Sequence, residues 1–254
     1  MFRNQYDTDV TVWSPQGHLH QVDYAMEAVK QGSVCLGLTS NEYVVLCGVK
    51  RQNDKLAQHQ RKLYKIDDYM GIGMAGLHAD ARTLARYMRT ECLNHKFVYG
   101  SQIPIGRLVT DVADKKQECT QSYVRRPYGV GLLVAGADKK GVHLYQTCPS
   151  GNFYEYKAIA IGSRSQSART YLEKHYQTFD NLSKEDLIQH AVQAVRGCLR
   201  GDQELSIHNL ALAFVGEKEP FTIVEGEELQ RYIDAAEVAD VKHDDDGDVS
   251  MVPS

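Results

Sequence analysis

Gly71-Ile72-Gly73-Met74-Ala75-Gly76 has the glycine spacing with which a strand-to-helix turn receives the phosphates of a dinucleotide. That use needs a parallel βαβ unit and an acid about 20 residues further on. The strand feeding this run leaves a tight Asp67-Asp68 hairpin, so its neighbour is antiparallel and the glycines are expected to serve close backbone packing. His18 and His20 would share one face of a strand, but no Cys or acid at ligand spacing completes a tetrahedral set. A surface pair is therefore expected, with no metal site and no cofactor. Arg125-Arg126 could form a basic loop, although a planar guanidinium serves equally well in a fixed ion pair, and the structural use is expected. Lys62 is harder to set aside. It heads an apolar run over 63–66, close in sequence to the Gly76-Leu77 turn, and its plain alternative is an exposed strand-end lysine. No G-x-S-x-G elbow, H-E-x-x-H pair or P-loop occurs.

The elements that must hold these residues follow from hydrophobic period. Val22, Ala25, Met26 and Val29 repeat at helical spacing and Gly32 follows, which predicts a helix over 22–31. Before it, Ser14-Pro15-Gln16-Gly17 predicts a turn between short alternating runs at 10–13 and 18–21. Strand signals at 33–39, 43–49, 63–66 and 69–74 stand in a row and predict an antiparallel sheet. Ala81, Leu84, Ala85, Met88 and Cys92 make one helical stripe, and Ile105, Leu108, Val109, Val112 and Ala113 a second. The order then repeats, with strands at 129–137, 142–147 and 154–161 and helices at 165–177 and 184–200. Ser183 caps the last of these. A strand at 209–215 and a helix from 227 to about 235 close the body. This order predicts two stacked sheets with a helix pair outside each.

Of 254 residues, 43% are hydrophobic and 24% charged, enough for one large core, and the six prolines are too scattered to mark a linker. A single domain over 1–236 is expected. Residues 237–254 hold six acids against one base, Lys242, and read as a disordered acidic tail. Without that tail the chain is near neutral, which argues against nucleic acid as a partner. No apolar run is long enough to span a membrane, and the first residues lack the apolar stretch of a signal peptide. A soluble intracellular protein is expected. Its six widely spaced cysteines read as reduced, buried thiols.

Longer motifs resemble a known family. Tyr6-Asp7, Thr11-Val12-Trp13-Ser14-Pro15, Gly17 and the run from Gln21 to Val29 are similar to the N-terminal signature of proteasome alpha-type subunits. Gly76-Leu77, Ala79-Asp80-Ala81-Arg82, Arg126-Pro127-Tyr128-Gly129-Val130, Pro149-Ser150-Gly151 and Ile161-Gly162-Ser163 continue the likeness. Departures are Thr8 for a usual Arg, His18 and His20 for Arg and Phe, and Asp23 for Glu; they put ion pairs usual near the N-terminus in doubt.

The resemblance implies an α+β fold, a four-layer α/β/β/α sandwich of the N-terminal nucleophile hydrolase type with an extra N-terminal helix. It implies a place in a seven-membered alpha ring, stacked on beta-ring subunits that cut substrates in ATP- and ubiquitin-dependent degradation, in cytoplasm and nucleus. In beta subunits an N-terminal threonine works with a lysine and an acid. Laid on that pattern, the nucleophile's position falls on Ser33, the lysine's on Lys62 and the acid's on Val49. With the acid gone and a helix preceding Ser33, a non-catalytic subunit is expected; the rival is a self-processing amidohydrolase with Ser33 as nucleophile. The resemblance further assigns Lys62, Gly76 and Leu77 to a pocket for C-terminal tails of an ATPase regulatory particle or other activators, the Lys62 ammonium standing near the mouth of an apolar slot. It assigns Tyr6, Asp7, Pro15 and Tyr24 to a gate cluster beside a gate tail, residues 1–9.

Overall fold

The runs 35–39 and 43–49 are apolar on both faces and must be covered on both. The computed structural model describes residues 6–51, 56–58, 60–199 and 205–245, the stretch 237–245 as backbone only. Two antiparallel five-stranded sheets supply the cover. In the first, strands β1 (Cys35–Thr39) and β2 (Tyr43–Val49) form a hairpin with Leu38 opposite Val45. The second holds β3 (Leu63–Asp67), β4 (Met70–Gly76), β5 (Val130–Asp138), β6 (Gly141–Thr147) and β7 (Phe153–Glu155), side by side in chain order. The first is completed by β8 (Ala158–Ile161), β9 (Leu210–Gly216) and β10 (Thr222–Val224), in the order β10-β9-β2-β1-β8.

Helices cover both outer faces. Helices α2 (His78–Tyr99) and α3 (Ile105–Glu118) bury Leu84, Met88, Leu108 and Val112 against Ile72, Met74 and Leu132 of the second sheet. On the first sheet, α4 (Ser165–His175), α5 (Lys184–Arg196) and α6 (Glu227–Asp245) cover Leu36, Val45 and Leu212 with Leu172, Ile188, Val192 and Ile233. Between the sheets lie Leu46, Leu133, Leu144, Ala213 and Phe221. This is the expected α+β four-layer sandwich. The extra N-terminal helix, α1 (His20–Gln31), buries Val22 and Ala25 and sets Val29 against the inter-sheet core. Burial of a valine side chain is worth about 1.5–3 kcal/mol, so α1 is anchored by its stripe.

Several expectations are corrected. The first four strands do not share a sheet: β2 pairs on its far side with β9, Leu46 opposite Ala213, so the chain changes sheets before β3. The single strand expected over 154–161 is two strands in different sheets, crossing at Tyr156-Lys157, where Tyr156 N–H donates to Leu144 O and Lys157 O accepts from Thr39 N–H. Periodicity is blind to that step because both halves remain extended and half-apolar. Strand β10 was not expected at all; three residues after Pro220 carry too little pattern. The turn expected at 14–17 is present, closed by Gly17 N–H on Ser14 O, while the flanking runs are not strands and α1 starts at His20, before the expected 22. Helix α6 continues to Asp245, past the expected domain edge at 236, because Ala235, Ala236 and Ala239 favour helix. The rest of the acidic tail, 246–254, lies outside the described residues, as do residues 1–5 of the gate tail.

Candidate functional site

The C-terminus of α1 delivers Ser33 to the head of β1. Gly32 N–H closes the helix on Val29 O, and Gly32 O accepts from Ser163 N–H at 2.7 Å. Here the chain runs against the β4–α2 turn: a Cβ on Gly32 would lie 2.2 Å from Gly76 N, and Gly76 itself has φ +116°. Neither contact tolerates a side chain. Within the glycine run, Gly71 receives the Phe221 ring and Gly73 the Cys35 Sγ, and β4 is antiparallel to both neighbours. The glycines serve close packing: Gly76 against backbone, as expected, and Gly71 and Gly73 against side chains.

Ser33 and Lys62, far apart in sequence, meet. The buried Lys62 Nζ donates to Ser33 O and, at 2.6 Å, to Ser33 Oγ. Its stem passes Gly48, where a Cβ would stand 3.3 Å from Lys62 Cγ and 2.9 Å from Val34 O. Gly48 was not singled out from the sequence, although a lone glycine inside an apolar strand marks a close approach. Burial pulls the Lys62 amine down to about 8, with nearby Cys35 opposing and Arg51 adding to the fall. Burial likewise pushes the Cys35 thiol up to about 11. An amine of that acidity on a hydroxyl has the geometry of a Ser–Lys base pair.

Two parts of an N-terminal nucleophile centre are missing. The Ser33 nitrogen is bound in the peptide to Gly32 beneath a seated α1, so no free amine exists in this chain as folded. Val49 bonds its N–H to Val34 O at 3.1 Å and packs toward the α4–α5–α6 core, and it has no carboxylate to offer.

Gly76 and Leu77 lie close by. Leu77 N–H donates to Gly129 O at 2.9 Å and its half-exposed side chain covers Gly129. Burial lowers the His78 pKa and the charge of Lys62 lowers it further, which marks Lys62 as a neighbour of this turn. The Lys62 ammonium is turned inward onto Ser33, since a buried ammonium needs acceptors. Lys62 also contributes to the wall of a cavity of about 800 Å³.

Of the residues that the resemblance assigns to a gate, Asp7 is tied to α1. Gln21 Nε2 donates to Asp7 O, and His20 Nε2 stands 3.8 Å from Asp7 Oδ1. Tyr24 stacks on His20 with ring centroids 6.3 Å apart. Pro15 sits apart from them in the exposed 14–17 turn, and Tyr6 is half-buried. His18 stacks on His20 and approaches Asp23 at 3.4 Å. The two histidines that departed from the family pattern thus have carboxylate neighbours of their own. For His18 the available signal was Asp23, five residues on; for His20, whose neighbour is Asp7 across the 14–17 turn, no local spacing offered one.

Arg126 holds Asp80 through two N–H donors at 2.7 and 2.8 Å, and Gly129 N–H adds a third bond to that carboxylate. Burial alone would raise the Asp80 pKa; the guanidinium and the amide outweigh it and hold the carboxyl below its ordinary value. The pair is structural, as expected, and joins α2 to the start of β5. Among the described residues no group of three His, Cys, Asp or Glu could hold a metal ion, and no helix is long and apolar enough to cross a membrane.

Comparison with known proteins bears on this arrangement. Residues 29–215 match the family described as proteasome subunit, and residues 6–28 match the N-terminal signature described for the A type of that subunit. The chain is 53% identical over 238 residues to proteasome subunit alpha type-1 of Dictyostelium discoideum, covering 93% of this chain and 96% of that protein. It is 50% identical over 243 residues to proteasome subunit alpha type-1 of Drosophila melanogaster, covering 94% and 87%. The protein of the same name from Trypanosoma brucei rhodesiense is 45% identical over 255 residues, covering 97% and 96%. Identity at this level along nearly the whole of each chain goes well beyond a shared sandwich: this chain belongs to the proteasome subunit family, on its alpha-type branch.

Proposed function

We propose that the chain acts as a non-catalytic structural and gating subunit of the seven-membered outer ring of the 20S proteasome core. In this reading it assembles with other alpha subunits and with the beta ring, in cytoplasm and nucleus. It controls substrate entry and docks the tails of an ATPase regulatory particle or other activators during ATP- and ubiquitin-dependent degradation. The observation that carries the non-catalytic role is the Ser33 nitrogen, held in peptide linkage under α1 while Val49 occupies the acid's position. Gating is supported by the attachment of Asp7 to α1 through two side chains, which gives the preceding tail a fixed root. Tail docking is supported by the proximity of Lys62 to the Gly76-Leu77 turn; an incoming carboxylate would have to draw the ammonium off Ser33.

The test is mass measurement on assembled particles. The expected result is an intact chain that retains residues 1–32 inside a ring-sized complex. A mature chain beginning at Ser33 would favour the self-processing amidohydrolase instead, the one rival that a specific contact supports, the 2.6 Å approach of Lys62 Nζ to Ser33 Oγ. For the gate, deleting residues 1–9 is expected to raise basal peptide hydrolysis modestly, because six other tails remain in the ring. Unchanged hydrolysis with unchanged assembly would remove this chain from the gate.

A further inference from the structure

The cavity of about 800 Å³ beside β3 falls within the usual size of small-molecule sites. Its wall carries Lys50, Arg61, Lys62, Lys65 and Arg89 against one carboxylate, Glu225. Lys65 is taken by Asp68 at 2.7 Å. Arg89 donates two N–H groups to Lys65 O at 3.0 and 2.6 Å, which anchors its guanidinium without neutralising it. Among the described residues, Lys50, Arg61 and Arg89 form no ion pair. Lys50 is half-buried, and burial lowers its pKa while Glu225 opposes the fall. Arg61 and Arg89 are exposed and Lys50 is half-buried, and together they line an open concavity whose like charges raise the local potential for an anion.

We propose that this cavity binds a compact polyphosphate, a ligand carrying several adjacent phosphate groups. With Lys65 held by Asp68 and Lys62 turned onto Ser33, Lys50, Arg61 and Arg89 against Glu225 leave a surplus of two, which a single terminal carboxylate does not cancel and adjacent phosphate groups, as in a triphosphate, do. The inference therefore goes beyond the docking of activator tails and stands if no tail docks. Ile207 and Ile223 give the cavity an apolar side as well, so the triphosphate can be free or part of a nucleotide.

The experiment titrates the full chain with sodium tripolyphosphate by calorimetry in 0.15 M salt. Saturable one-to-one binding is expected, weakened at least tenfold by K50Q combined with R61Q. The remote pair K139Q and K140Q, at the turn between β5 and β6, is expected to leave it unchanged. A second reading needs no variant: saturating tripolyphosphate should slow acetylation of Lys50 at least fivefold in the native chain, read by peptide mass spectrometry. ATP as titrant distinguishes the sources, tighter binding than tripolyphosphate assigning the site to nucleotides and equal binding to free polyphosphate. Absence of saturable binding, equal losses in both double variants or unchanged Lys50 acetylation would each overturn the proposal.

Discussion

Lys62 and Lys116 are both withdrawn from water and both rest on a hydroxyl and backbone carbonyls, with no carboxylate paired to them among the described residues. Lys116, in the last turn of α3, donates to Thr147 Oγ1 at 2.8 Å, Val130 O at 3.0 Å and Thr147 O at 3.4 Å. Lys62 donates to Ser33 Oγ and Ser33 O. Burial lowers both amines, Lys116 to about 7 and Lys62 to about 8. The surroundings differ. Lys62 stands where α1, β1 and the β4–α2 turn converge, in the wall of a cavity among other cations, while Lys116 is enclosed between α3 and the second sheet. A lysine on a hydroxyl therefore occurs twice in this fold and does not by itself single out Ser33, since Lys116 makes the same contact with Thr147 at the end of β6. What sets Lys62 apart is its setting in a cavity wall, although its ammonium is turned inward as that of Lys116 is.

The largest effect that would sharpen this contrast is the alkaline stability of the Lys116 site. A lysine whose folded pKa lies below its unfolded 10.5 is protonated more readily in the unfolded chain between the two values, so stability rises with pH across that window. For Lys116 the window runs from about 7 to 10.5, and at about 1.4 kcal/mol per unit the rise is on the order of 5 kcal/mol. Lys116→Met should abolish it, seen as a widening stability difference between native and variant chains in denaturant titrations from pH 7 upward. A difference that stays flat would show that Lys116 is not the enclosed amine described here.

Lys62→Met should remove a smaller rise, on the order of 3 kcal/mol, beginning only near pH 8. If its window opened below that of Lys116, the ranking of the two sites would be reversed. Asp80 is the paired counterexample with the opposite sign. Its depressed carboxyl contributes stability above the ordinary value of 3.8 and loses it as pH falls through the folded value. Asp80→Asn is expected to cost about 2 kcal/mol at pH 7 and to flatten the acid limb of the stability curve. Least of all, Ser33→Ala leaves Lys62 its carbonyl acceptor and should cost about 1 kcal/mol. Assembled cores carrying Ser33→Ala should hydrolyse peptides as before; a loss of hydrolysis would make Ser33 more than a structural partner.

The elements with strong period were legible: β2 was expected over 43–49 and lies there, and the stripes of α2 and α3 fall on the residues that are buried. Sheet membership was not. It depends on partners such as β9, whose pairing with β2 no local pattern encodes. The meeting of Ser33 with Lys62 was legible only through the family resemblance, because 29 residues and a change of sheet separate them. The inward turn of the Lys62 ammonium was hidden altogether, since it follows from desolvation rather than from spacing. The period places Lys116 on the apolar stripe of α3, four residues after Val112, and only its residue type, one that normally stays solvated, masks that signal.

The crossing at Tyr156-Lys157 has a bearing on synthesis. The second sheet is complete once residue 155 has left the ribosome, with α2 and α3 already made to cover it. The first sheet cannot be finished then, because β2 waits for β9. At about 5–20 residues per second, the interval between β2 and its partner is roughly 10 to 30 seconds. Throughout it the nascent hairpin of β1 and β2 shows an apolar edge, which is the kind of surface that sticks to other chains. A ribosome-bound holding factor, or early capture by a neighbouring nascent subunit, would act in that interval, and its footprint should centre on residues 43–49.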